Sequence, residues 1–432
     1  AQALYRGHNV HDITRNDAGA ENLTITTNEI NKIIEYSKQN HKKSICFVTG
    51  VPGAGKTLVG LNIAIERSNA QKGEHAVFLS GNYPLVTVLQ EALARDKIEQ
   101  EKLRGNRLSK KDALRNTSAF IQIIHKYRDS FVGNTTIPPE RVAIFDESQR
   151  AWTHEMISKF MSTKKGVPNF EYSEPEFLIS TMDRHKDWAV IICLVGGGQE
   201  INTGEAGLPE WFDSLRRAFP EWDVYVAPEL NDNEYLRGRS WSDMISNLHT
   251  HQRNNLHLST SIRSFRTPDL AAFVKAILDV NITDSITLFN SIKDKYPIVL
   301  TRDLTAAKKW VRNHCQGTTR YGLLASSGGL RLKPEGIFVK NEISVENWFL
   351  NGKDDVRSSY ALEDVVTEFD IQGLELDYSI VAWDADFRFN GQNWTYNSFV
   401  GNKWNTIRSD EKRLYLKNAY RVLLTRARQG MA

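Results

Sequence analysis

The chain has 432 residues, 41% of them hydrophobic and 25% charged, with a formal net charge of +3. This is ordinary globular composition, long enough for two or three domains and for a large core without covalent staples. The small net charge excludes a uniformly basic nucleic-acid binder, so any surface for a polyanion must be local.

Three cysteines, Cys46, Cys193 and Cys315, lie far apart. So odd and sparse a set fits a reducing, cytoplasmic setting better than a disulfide framework. There is no apolar stretch of about 20 residues, and no membrane partner is expected. The N-terminus lacks the basic-then-apolar pattern of a signal peptide. The first residue is Ala1 and the last segment is strongly patterned, which reads as a fragment.

In chain order, residues 1–22 are polar and unpatterned and read as a lead-in. "NEINKIIEYSKQN" has apolar residues at helical spacing, and the strand "SICFV" follows. Strands and helices then alternate: helix "KTLVGLNIAIERSN", strand "HAVFLSGN", helix "PLVTVLQEALARDK", and the short apolar runs "RVAIFDE" and "DWAVIICLVGGG". Such alternation predicts parallel sheets covered by helices. Residues 200–255 are mixed and Trp-containing and read as including an insertion. A second α/β region begins near "NLHLSTSIRSF", with strands expected at "YPIVLT", "YGLLASS", "EDVVTEF" and "DYSIVAWD". The expected organisation is a lead-in over 1–22, a first domain over 23–250 and a second over 251–432.

The stretch Gly50-Val51-Pro52-Gly53-Ala54-Gly55-Lys56-Thr57 matches G-x-x-x-x-G-K-[ST] in full. Glycines let the backbone turn its N–H groups toward phosphate oxygens, and the following helix offers its positive end. Lys56 is expected to reach the β and γ phosphates, and Thr57 to bind Mg²⁺. In "RVAIFDESQRAW", Asp146 and Glu147 follow four apolar residues. A strand end there would aim Asp146 at the metal and leave Glu147 to polarise water. Adjacent buried acids repel unless a cation sits nearby. Gln199, at the end of "CLVGGGQE", is placed to sense the γ-phosphate. In the second half, Arg263, Arg426 and the segment with Gln372, Gly373 and Glu375 gain meaning through cooperation. A second domain can supply an arginine finger to a phosphate held by the first.

The order GVPGAGKT, FDESQRAW, VGGGQEINTGEAG, SIRSF, TEFDIQGLELD and NAYRVLLTRAR resembles the superfamily 1 helicases. More closely, it resembles the schlafen group 3-like DNA/RNA helicase family, from about residue 20 to 432. The resemblance implies two RecA-like domains with ATP and Mg²⁺ in the cleft between them. By position it implies that Lys56 and Thr57 hold phosphate and Mg²⁺. Asp146 and Glu147 then form the metal-binding and water-activating pair, and Gln199 is the coupling glutamine. Arg263 and Arg426 become the γ-phosphate arginines, and Gln372 and Glu375 lie near nucleotide and nucleic acid. Ser80 and Asn82 fall where such helicases touch a single strand. There are departures: glycine replaces the usual acid before Gln199, and no clear adenine-binding glutamine precedes the loop. The chain also ends where such a second domain normally adds a strand, which reads as a truncated sheet.

A groove for a strand needs positive charge and aromatic platforms. Lys102, Arg104, Arg107, Lys110, Lys111 and Arg115 are the candidate charge, weighed evenly against a plain solvated face. Trp152 and Trp211 are the aromatics nearest the motifs. His249, His251 and His257 lack a completing ligand and read as structural. The expected function is an ATP-dependent helicase or translocase on single-stranded DNA or RNA. Its rival is a nucleotide-gated scaffold or regulatory ATPase that controls a nuclease domain or partner protein without unwinding.

Overall fold

The computed structural model describes residues 17–51, 53–68, 74–196, 207–236, 238–260, 267–317 and 319–432. The chain divides into two compact units, Ala1–Ile262 and Arg263–Ala432.

The first unit is built on β1 (Lys43–Gly50), β2 (Ala76–Ser80), β3 (Ile121–Ile123), β4 (Val142–Asp146), β5 (Ala189–Leu194), β6 (Asp223–Val226), β7 (His249–Gln252) and β8 (His257–Leu258). Their order is β3-β2-β4-β5-β1-β6-β7, with β8 joining β1. Every pairing is parallel. Parallel strands need crossovers that cover both faces, so the inner strands are apolar throughout. Accordingly β2, β4 and β5 are buried at every position. Alternate side chains serve opposite faces. Ile45 and Phe47 join one core cluster, Cys46 and Val48 the other.

The first described helix, Asp17–Gln39, starts earlier than the pattern "NEINKIIEYSKQN" indicates, so 17–22 are helical rather than lead-in. It buries Leu23, Ile30, Ile33 and Ile34 on one face. The helix Tyr83–Leu103 begins as its sequence dictates, with Asn82 as N-cap and Pro84 in the first turn.

The region 200–255 is less of an insertion than its composition implies. "DVYV" is β6, paired directly with β1. β7 is "HTHQ", a polar strand that pairs with β6 on its other side, and no apolar alternation marks it.

The second unit has a parallel sheet of β9 (Tyr321–Ala325), β10 (Val365–Val366), β11 (Leu376–Ala382) and β15 (Ala427–Met431), in the order β10-β9-β11-β15. Between β11 and the helix Asp410–Leu424 lie three antiparallel strands: β12 (Phe387–Phe389), β13 (Trp394–Val400) and β14 (Lys403–Thr406). "YPIVLT" is not a strand. Pro297 has no N–H to give a ladder, Leu300 is fully exposed, and only a single bridge joins Ile298 to Met431. "EDVVTEF" yields two strand residues before Asp370 accepts from the Thr367 N–H at 2.8 Å and turns the chain. The class is α/β, with parallel sheets flanked by helices.

Candidate nucleotide site

The fold brings the two strongest motifs together. β1 carries the chain into the loop, and the helix Lys56–Ser68 leaves it. Gly53 and Gly55 have φ of 76° and 91°, a region that side-chain-bearing residues rarely enter. The helix has no acid in its first turn, so its positive end stays uncompensated for an anion. Lys56 Nζ donates to the Gly50 carbonyl at 2.8 Å. Pro52 lies outside the described residues.

β4 ends at Asp146, one strand removed from β1, with β5 between them. The Thr57 hydroxyl donates to Asp146 Oδ1 at 3.0 Å, and the Ser80 hydroxyl to Oδ2 at 3.4 Å. Burial and the neighbouring Glu147 push the Asp146 carboxyl up to about 7, against the downward pull of Thr57, Lys56 and Ser80. The Thr57 hydroxyl and the Asp146 carboxylate, held together, fit Mg²⁺, which takes one or two protein oxygens and fills its shell with phosphate and water. Among the described residues no group of three or more His, Cys, Asp or Glu could hold a metal ion.

Glu147 has φ of 52°, a conformation uncommon for a residue with a side chain. Gln149 Nε2 donates to Glu147 Oε2, and Gln149 Oε1 accepts the Gly196 N–H at 2.9 Å. A Cβ on Gly196 would lie 2.7 Å from Glu147 Oε2. The absence of a side chain at Gly196 thus makes room for Glu147. The one signal for Gln149 in the sequence is its position two residues after the acid pair.

β8 buttresses the loop from the other side. Val51 N–H donates to the Leu258 carbonyl at 3.0 Å, and Thr49 Oγ1 lies 2.8 Å from His257 Nδ1. Gly50 packs so closely that an added Cβ would sit 2.6 Å from Leu258 Cβ. His257 thus lies beside the phosphate loop.

Other expected residues sit differently. Ser80 has no exposed surface, so its hydroxyl serves Asp146 and the Asn82 N–H rather than a strand. Asn82 Oδ1 caps Leu85 N at 3.2 Å. Trp211 is fully buried and donates to the Ser148 carbonyl at 2.9 Å, which corrects its reading as a cleft aromatic. Trp152 packs against His125, Phe160 and Arg128. Of the basic candidates, Arg104, Lys110 and Arg115 pair with Glu101, Glu91 and Asp112. Gln199 and Arg263 lie outside the described residues.

In the second unit, Arg426 is 8% exposed. It sits between the helix Asp410–Leu424 and β15, with Nε donating to the Val422 carbonyl at 3.2 Å. Gly373 has φ of 73°, and Gln372 is half-buried beside it. Glu375 accepts from Arg428 Nε at 2.7 Å.

The family model described as Schlafen group 3, DNA/RNA helicase domain matches residues 43–432. No curated protein matches the chain. Among solved structures, the crystal structure of the Pyrococcus furiosus Hef helicase domain is similar over 81% of this chain and 88% of that one, at 13% identity and a TM-score of 0.27. No described helix is long and apolar enough to cross a membrane.

Proposed function

The chain belongs to the Schlafen group 3, DNA/RNA helicase domain family, and from that premise we propose that it is an ATP-dependent helicase or single-strand translocase. The observation that carries this reading is the Thr57–Asp146 hydrogen bond, which joins the phosphate loop to the acid pair. Thr57 and Asp146 would hold Mg²⁺, whose charge would offset that of the phosphates when bound.

This chain's own residues do the rest. Gly50, Val51, Gly53, Ala54 and Gly55 present backbone to phosphate, with Lys56 as the mobile cation. Glu147 takes the proton of the attacking water, and Gln149 fixes its carboxylate for that task. Gln199 senses the γ-phosphate. Arg263 and Arg426 of the second unit supply charge to the same phosphate as it is transferred. Gln372, Gly373 and Glu375 act where nucleotide state meets the strand. The substrate polymer is single-stranded DNA or RNA, and Asn82 contributes to its path.

The test is motor output rather than turnover. With ATP and Mg²⁺, the chain should displace streptavidin from a biotinylated single strand, and Lys56→Ala should not. ATP turnover without displacement of streptavidin or of an annealed strand would overturn the motor and favour a regulatory ATPase acting on a nuclease or other partner.

A further inference from the structure

The antiparallel sheet of the second unit has no part in the site above. From Phe387 to Thr406 the chain carries six aromatic residues, the cations Arg388 and Lys403, and no Asp or Glu. Register sorts these side chains between two faces. Phe387 opposes Tyr396 and Phe389 opposes Trp394 on one face. Arg388 opposes Thr395, Asn397 opposes Thr406, and Phe399 opposes Trp404 on the other.

On the first face Phe387 and Trp394 are committed to packing, whereas Phe389 is exposed. Phe387 is fully buried and stacks on Trp394 at 4.4 Å, whose indole N–H donates to the Ile277 carbonyl at 3.1 Å. The second face carries a different set. Phe399 and Trp404 are half-buried, with ring centroids 5.1 Å apart. The exposed Arg388 guanidinium lies 5.0 Å over Trp404, and the exposed Arg331 guanidinium 5.3 Å over Phe399. The two acids just before the sheet are turned inward. Asp384 accepts the Arg331 N–H, and Asp386 accepts the Ser326 and Tyr420 hydroxyls. Both are buried.

Aromatic rings with planar cations lying over them suit one class of ligand. Unpaired bases stack on such rings whatever their sequence, and guanidinium groups bind phosphate through paired N–H donors. A duplex hides its base faces, and an acidic peptide would leave the rings unused. We propose that the face bearing Arg388, Phe399 and Trp404 is a stacking platform for an unpaired nucleic-acid strand. Arg331 and Arg388 meet the phosphates that flank the stacked base. The proposal rests on the nucleic-acid reading above and adds the place on the chain that holds the strand.

The experiment uses the full chain and a fluorescein-labelled oligothymidylate, read by anisotropy across a salt series. Trp404→Leu should weaken binding roughly tenfold, and Trp404→Phe should restore most of it. Arg331→Ala with Arg388→Ala should flatten the dependence of log affinity on log salt by about one to two units. Far-UV circular dichroism checks that the variants fold. Photocrosslinking with bromodeoxyuridine strands should label the peptide spanning 387–408. Wild-type affinity in Trp404→Leu, with crosslinks mapping elsewhere, overturns the platform and leaves the helicase reading intact. A wild-type chain that binds no single strand overturns both.

Discussion

Thr49 and His257 meet at 2.8 Å, which ties the strand entering the phosphate loop to β8. One residue on, Gly50 touches Leu258 with no room for a side chain. A Cβ at Gly50 would approach both the Leu258 Cβ and its carbonyl oxygen at 2.8 Å or less. Gly50→Ala is therefore expected to displace the loop and weaken binding of a fluorescent ATP analogue by roughly tenfold or more. Unchanged affinity would show that β8 yields freely.

Glu147 is assigned to water and Asp146 to the cation, so their substitutions should part. Glu147→Gln is expected to keep nucleotide affinity and lower kcat by about 10²-fold or more. Asp146→Asn should also raise the Mg²⁺ concentration needed for half-maximal turnover. Identical kinetic profiles would contradict the division of roles.

Gln149 holds the Glu147 carboxylate and is itself held by the Gly196 N–H. Gly196→Ala would push a methyl group to 2.7 Å from Glu147 Oε2. Turnover should fall about tenfold or more with ATP affinity retained, because the base and its Gln149 partner move. A rise in Kd with kcat intact would place the strain in the loop instead.

The second unit carries a pH signature. Burial pushes the Glu368 carboxyl above its ordinary value, against the pull of its Ser327 donors. With the folded value above the unfolded one, the stability tied to this proton is full below the ordinary glutamate range of about 4.3. It is lost as pH rises through the raised value. Melting temperature measured from pH 4 to pH 8 should fall less steeply in Glu368→Gln than in wild type. Parallel curves would refute the assignment.

The phosphate loop was legible because its geometry leaves few choices. Gly53 and Gly55 take positive φ, and the helix begins at Lys56 as the motif requires. β2, β4 and β5 were legible because double-faced burial demands unbroken apolar runs. β7 was not, since "HTHQ" shows no apolar pattern and pairs with β6 through its backbone and polar or ring contacts of its histidines. The support of the loop by His257 and Leu258 is a contact across about 200 residues of sequence, and spacing does not record such a pairing. Ser80 misled for a related reason: a polar residue at a strand end reads as exposed, whereas here the buried Asp146 claims its hydroxyl. The three antiparallel strands escaped because their aromatics are spread among Asn, Gly and Thr, which reads as loop.

The central claim is that a single strand drives ATP turnover at the Thr57–Asp146 site. Steady-state ATP hydrolysis, measured while single-stranded DNA or RNA is titrated into the chain, tests it most directly. The account predicts saturable stimulation of roughly tenfold or more, abolished in Lys56→Ala. Turnover that ignores the strand at every concentration would contradict it.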